Sequence, residues 1–198
     1  MVVPVVFRRV LRSKLDLAVR RFKAPRMIWG YQDASGVWRE RTRISDTVFF
    51  NHPERIYISD NVFVGHYCIL DGTGGLEIGE GCQLAGWNGL YTHSSHIAIR
   101  LYGNHYQEVP EAKKVGFKAA PVKIGKYVFI GAGAMIFPGV TIGDGSLIYA
   151  GAIVNRNVDA FKIVAGNPAK VIGDTRILDE CYLKDRQIME WYYEWQKT

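Results

Sequence analysis

Between Lys123 and Val154 the chain reads KIGKYVFIGAGAMIFPGVTIGDGSLIYAGAIV. Within and just beyond this stretch Ile124, Ile130, Ile136, Ile142, Ile148 and Val154 recur at a strict spacing of six. A second series trails the first by four positions: Val128, Ala134, Val140, Ser146, Ala152 and Val158, all small or β-branched. Glycine directly follows the long apolar residue at Gly125, Gly131 and Gly143. A six-residue period matches neither the 3.6 of an amphipathic helix nor the alternation of a strand. It describes one short strand and one corner. Three such units close a triangular coil in which the long residue points inward and the small residue fits the tight turn. Stacked coils then pair their backbones as parallel sheets, each burying its neighbour's face.

Working outward, the same rhythm appears in Ile58, Val64 and Leu70, in Ile78, Leu84 and Leu90, and more loosely in Ile44, Phe50 and Ile56. Each group of three is one turn. Asp60, Asn61, Gly79, Gly125, Asp144 and Gly145 fall at corners, where such residues tolerate left-handed backbone angles. A β-sandwich would instead space its strands by about 8 to 12 residues. The predicted class is mainly β, a parallel β-helix of hexapeptide repeats with an N-terminal helix, a protruding loop and a C-terminal helix. The expected boundaries are 1–40 for a basic amphipathic helix and connector, 41–172 for the coil with loop 97–120 protruding, and 173–198 for a helical tail.

Four segments carry a resemblance to the hexapeptide-repeat acetyltransferase family over about residues 44–172: Pro121 to Gly125, Phe129 to Ala134, Pro138 to Asp144, and Ala165-Gly166-Asn167-Pro168-Ala169-Lys170-Val171-Ile172. The style is closest to the sugar and O-antigen O-acetyltransferases. The resemblance implies a left-handed coil, an exception to the usual right-handed parallel crossover. It further implies a homotrimer, acetyl-CoA as acyl donor with no metal, and a saccharide acceptor.

The rhythm stops between Leu90 and Ile124, where Tyr91-Thr92-His93-Ser94-Ser95-His96 opens a long excursion. Loops above about 12 to 15 residues in a compact repeat usually carry function. Acetyl transfer to a hydroxyl needs a group that removes the acceptor's proton, and imidazole suits the task. In the resembling enzymes a histidine stands at such a loop in contexts like Thr-His-Ser-His. Here one extra residue separates His93 from His96, and Ile97 stands where many relatives have proline. The expected base is His96 or His93, with His96 slightly favoured as the junction residue. His52, His66 and His105 are read as surface or satisfied side chains.

The resemblance also implies a CoA groove between neighbouring subunits, carried over here to Ala132, Ala150, Asn155, Arg156 and Lys170. Arg156 and Lys170 would pair with phosphates. Asn155-Arg156 stands where relatives often have Thr-Lys. Trp87 and Asn88 are candidate acceptor contacts by stacking and hydrogen bonding, with Asp71 a weaker one; a tryptophan in a trimer interface reads the same.

With 198 residues, 48% hydrophobic and 22% charged, the chain is of ordinary globular composition for one main domain. Three cysteines without CxxC spacing suggest neither a disulfide framework nor a zinc knuckle, and a reducing cytoplasm is the expected home. Arginines at 8, 9 and 12 interrupt the first apolar run, against a signal peptide. The net charge of +6 is concentrated in residues 1–26, which carry eight Lys or Arg against Asp16. The remaining body is nearly neutral, which disfavours nucleic acid as a partner. Residues 4–23 space Phe7, Val10, Leu11, Ala18 and Phe22 as a basic amphipathic helix, either a cap on the open coil or a peripheral contact with the inner face of a membrane.

The expected function is acetyl-CoA-dependent O-acetylation of a sugar hydroxyl in surface polysaccharide biosynthesis, by direct attack on the thioester. Alternatives are an amino-sugar N-acetyltransferase, a small-molecule acetyltransferase, a γ-type carbonic anhydrase and a non-catalytic trimeric scaffold. The anhydrase needs three histidine ligands. His93 and His96 do not match its five-residue histidine spacing, and no histidine follows His105.

Overall fold

The structure, a computed structural model, describes residues 24–197. The amphipathic segment at residues 4–23 therefore lies outside the described residues. Three faces of short strands form a triangular coil. Face A runs through Phe63–Val64, Gln83–Leu84, Phe129–Ile130 and Leu147–Ile148. Face B runs through Phe49–Asn51, Ile69–Asp71, Gly89–Leu90, Met135–Ile136 and Ile153–Val154. Face C runs through Ile56–Ile58, Leu76–Ile78, Val122–Ile124 and Thr141–Ile142. All strand pairings inside these stacks are parallel.

Registry follows the repeat. Val64, Leu84, Ile130 and Ile148 stack on face A, Phe50, Leu70, Leu90, Ile136 and Val154 on face B, and Ile58, Ile78, Ile124 and Ile142 on face C. Except for half-exposed Phe50, these residues are buried, and they join one core that also holds Val128, Ala134, Val140, Ala152 and Val158 from the trailing series. Burying each long aliphatic side chain stabilises the fold by about 1.5–3 kcal/mol.

The corner from face B to face C departs from the six-residue period. Leu70 to Ile78 spans eight residues, and Leu90 to Ile124 spans the whole excursion, yet both pairs hold ladder registry with their neighbours. Insertions therefore accumulate on one edge of the prism without disturbing the core. The excursion returns as Lys118–Ala119, paired antiparallel with His93–Ser94, after the helix Ala98–Tyr102 and two 3-10 turns.

Both ends of face A are finished by antiparallel strands. β1 (Met27–Gln32) pairs with β2 (Trp38–Ser45), whose Ile44 begins the first coil against Val64. The connector expected before residue 41 thus contains a hairpin, turned through Asp33, Ser35 and Gly36. At the other end Lys170–Asp174 folds back on Lys162–Ala165. The tail continues as the helices Thr175–Asp179 and Arg186–Trp195, capped by the carboxylates of Asp174 and Asp185. Trp195 packs 4.6 Å from Tyr127 and 5.8 Å from Phe161, securing the tail to the corner between faces C and A.

No helix among the described residues is long and apolar enough to cross a membrane.

Candidate active site

The edge that collects the insertions also collects the polar groups. Asp71 ends its face B strand and is 2% exposed. Its Oδ1 accepts from Asn51 Nδ2 (2.9 Å), the Thr73 amide (3.0 Å) and Thr73 Oγ1 (2.6 Å). Its Oδ2 accepts from the Thr92 amide (2.8 Å), Thr92 Oγ1 (3.0 Å) and His93 Nδ1 (2.6 Å). Burial by itself would raise the carboxyl's pKa, but the hydrogen bonds from Thr73, Thr92 and His93 outweigh it and hold Asp71 well below the usual carboxylate range. An ionised carboxylate only accepts, so it fixes the His93 tautomer with the proton on Nδ1 and the lone pair on Nε2.

The His93 imidazole is held a second way, by stacking on Phe117 with ring centroids 5.7 Å apart. Because Lys118–Ala119 pairs with His93–Ser94, the returning limb of the loop places Phe117 there. A cavity of about 420 Å³ opens beside the ring, lined by Tyr91, His93, Ser94, His96, Lys118 and Phe137. His96 shares this cavity but is exposed, and its Nδ1 meets only Ser94 Oγ at 2.7 Å. Arg100 donates to the His96 backbone carbonyl, tying the junction to the helix that follows. Of the two histidines, His93 has the buried carboxylate; His96, favoured from its position in the sequence, has a surface hydroxyl.

The expected acceptor contacts separate. Asp71 has both oxygens occupied and none directed at the cavity, so its place is behind the imidazole. Asn88 is 1% exposed and bonds Ala85 O, Ile130 O and the Ala134 amide inside the coil, so its amide is consumed by the core. Trp87 is 66% exposed at the corner between faces A and B, where it stacks on Tyr67 at 4.5 Å. That corner and the His93 corner lie on opposite margins of face B. Among the expected CoA residues, exposed Ala132 and Ala150 stack at the A–B corner, with the Gly151 amide donating to Ala132 O at 2.9 Å. Asn155 and Arg156 lie at the B–C corner of the last coil, and Lys170 lies on the final strand. One chain does not bring these five together.

Of the remaining histidines, His52 pairs with Glu54 (3.0 Å), His105 with Glu108 (2.9 Å), and His66 with Ser45 Oγ (2.6 Å). No group of three or more His, Cys, Asp or Glu among the described residues is arranged to hold a metal ion. Sequence reasoning did not single out Thr73, Thr92, Phe117 or Lys118. Thr92 was findable: one coil of twenty residues separates Leu70 from Leu90, so the segment after Leu90 must lie against Asp71.

Residues 121–156 match the family model described as the hexapeptide repeat of succinyl-transferase. A maltose O-acetyltransferase from Clostridium difficile superposes with a TM-score of 0.54 at 30% identity, covering 65% of this chain and 64% of that one. A hexapeptide-repeat acetyltransferase from Vibrio cholerae superposes at 0.57 with 26% identity, covering 66% and 69%. A chloramphenicol acetyltransferase of Agrobacterium fabrum is 44% identical over 68 residues, which are 33% of this chain and 32% of that relative. Such aligned stretches span about a third of the curated relatives' own length. The fold is the left-handed parallel β-helix, mainly β. Over these stretches the chain is similar to hexapeptide-repeat acetyltransferases.

Proposed function

We propose that this protein transfers an acetyl group from acetyl-CoA to a sugar hydroxyl, with His93 as general base and Asp71 as the residue that positions it. The observation that carries this reading is the 2.6 Å contact from His93 Nδ1 to Asp71 Oδ2. In the reaction the hydroxyl oxygen attacks the thioester carbonyl while Nε2 takes its proton. The tetrahedral intermediate then collapses, the carbon–sulfur bond breaks, and the imidazolium returns the proton to the departing thiolate. The imidazolium formed midway is stabilised by the buried carboxylate behind it.

A homotrimer supplies the donor groove. With Ala132 and Ala150 on one margin of face B and Asn155 and Arg156 on the other, a CoA groove using all four requires two copies. Small residues on the first margin admit the pantetheine arm close to backbone. Arg156 and Lys170 offer cations for its phosphates. Trp87 would face the same junction from the neighbouring copy. A role in surface polysaccharide biosynthesis, at the cytoplasmic side of the membrane, fits a saccharide acceptor and the basic segment at residues 4–23.

The test is thiol release from acetyl-CoA in a panel of saccharide acceptors, with donor binding followed by calorimetry. H93A is expected to lower kcat by about 10²–10⁴ with donor binding retained, and H96A by less than about tenfold. A wild-type rate in H93A would remove His93 from the chemistry.

A further inference from the structure

A second cavity lies on the other side of the His93–Phe117 stack. It has a volume of about 460 Å³ and is lined by His52, Arg55, Thr73, Glu111, Lys114 and Phe117. The two cavities share one wall. Successive residues of a strand point to opposite sides, so Lys118 lines the first cavity while Phe117 and Ala119 line the second. Thr73, which donates to Asp71, joins the second cavity to the carboxylate that holds the imidazole.

Lys114 is the unusual member. It is 9% exposed, yet among the described residues no carboxylate comes within ion-pairing distance of its ammonium, which lies over the face of Tyr106, 3.8 Å from the ring centroid. Glu111 is exposed and meets Lys114 only through the backbone, where the Lys114 amide donates to Glu111 O at 3.0 Å. Arg55 reaches into the same space, spending one N–H on Thr73 O at 3.0 Å. Most of the lysine is withdrawn from water without a counter-charge, and a cation–π contact offsets only part of the cost. A lysine without a carboxylate partner beside an open cavity and a guanidinium is an arrangement that an anion completes.

We infer that the acceptor is an anionic saccharide whose phosphate or carboxylate is held by Lys114 and Arg55 in the second cavity, so that a hydroxyl on the same sugar reaches His93 past Phe117. This rests on the acetyltransferase reading and adds the charge class of the acceptor.

Equilibrium dialysis of the full chain with glucose 1-phosphate, glucuronate, glucose and inorganic phosphate tests it without turnover. Either anionic sugar should bind at least tenfold more tightly than glucose, and also more tightly than inorganic phosphate. Lys114→Met and Lys114→Gln should each erase that preference, Arg55→Gln should reduce it, and Lys123→Met on face C should keep it. Lys114→Met should also raise the thermal midpoint of the ligand-free protein, whereas a merely structural lysine would lower it when removed. Equal binding of glucose and the anionic sugars, binding of inorganic phosphate as tight as that of glucose 1-phosphate, or a preference that survives both Lys114 variants would overturn the assignment. Failure of the acetyltransferase reading would show separately, as no thiol release from acetyl-CoA with any acceptor.

Discussion

Replacing Asp71 by asparagine preserves shape and removes one charge. Six donor contacts converge on the carboxylate, three to each oxygen. An amide offers one oxygen and one NH2 group, so whichever way it turns, N–H faces N–H on one side. With the amide nitrogen toward Thr92 and His93, the Thr92 amide is left unpaired and the imidazole must present a lone pair on Nδ1. That moves its proton to Nε2 and abolishes the base. With the nitrogen toward Asn51 and Thr73, the tautomer survives, but the Thr73 amide is stranded and the imidazolium loses its counter-charge. Leaving one buried donor unpaired in either orientation costs about 1–3 kcal/mol. For a chain of this size that is a fall of about 2–12 °C in the thermal midpoint. Thiol release from acetyl-CoA should drop about 10²–10⁴-fold in kcat, with KM for the donor little changed, since Asp71 touches no part of it. A variant within about threefold of wild-type kcat would refute the assignment of Asp71 as the residue that orients the base.

Three further outcomes follow from the same geometry. Asp71 is held well below the ordinary carboxylate range, so its contribution to stability is complete above about pH 5 and declines as pH falls below the unfolded value near 4; urea denaturation should show the gap between wild type and D71N narrowing in that window. A Cβ on Gly131 would lie 2.5 Å from the Ala150 backbone nitrogen, whereas one on Gly133 meets nothing within 4 Å but must accept φ near +71°. Gly131→Ala should therefore cost about 1–3 kcal/mol or more, and Gly133→Ala about 1–2 kcal/mol, in chemical denaturation. Cys68 and Cys82 are buried, the latter with its thiol pushed up to about 12 by burial, and Cys181 is exposed. A thiol reagent at pH 8 should modify one cysteine in the native protein and all three after denaturation.

The coil was legible because its signal is local and redundant: each of Ile124, Ile130, Ile136, Ile142, Ile148 and Val154 occupies its inward position independently of the others. The site was legible in composition but not in roles. Asp71 was read as a weaker acceptor contact, whereas its contact with His93 depends on the stacking of one coil on the next. His93 and His96 could not be ranked from spacing, because the ranking is set by the buried Asp71 carboxylate that coil stacking brings against His93. Lys114 has no local mark at all: lysines on loops are ordinarily solvated, and its low exposure and its contact with the Tyr106 ring come from the fold of the excursion. The hairpin at Met27–Ser45 had its turn signal in Asp33, Ser35 and Gly36, masked by the nearby basic segment.

A stack of parallel coils has, at each end, three unfinished edges whose amides and carbonyls could template another copy. On face A the sequence closes both, with β1 before the first coil and Lys170–Asp174 after the last, each running against the grain of the stack. An incoming coil from a second molecule would find its largest ladder already occupied by a strand of the wrong polarity. Growth along the prism axis is thereby opposed on this face, while Phe49, Phe129 and Met135 stand exposed on the lateral faces. The same two strands that flank the stack on this face thus oppose its end-to-end extension into a fibre.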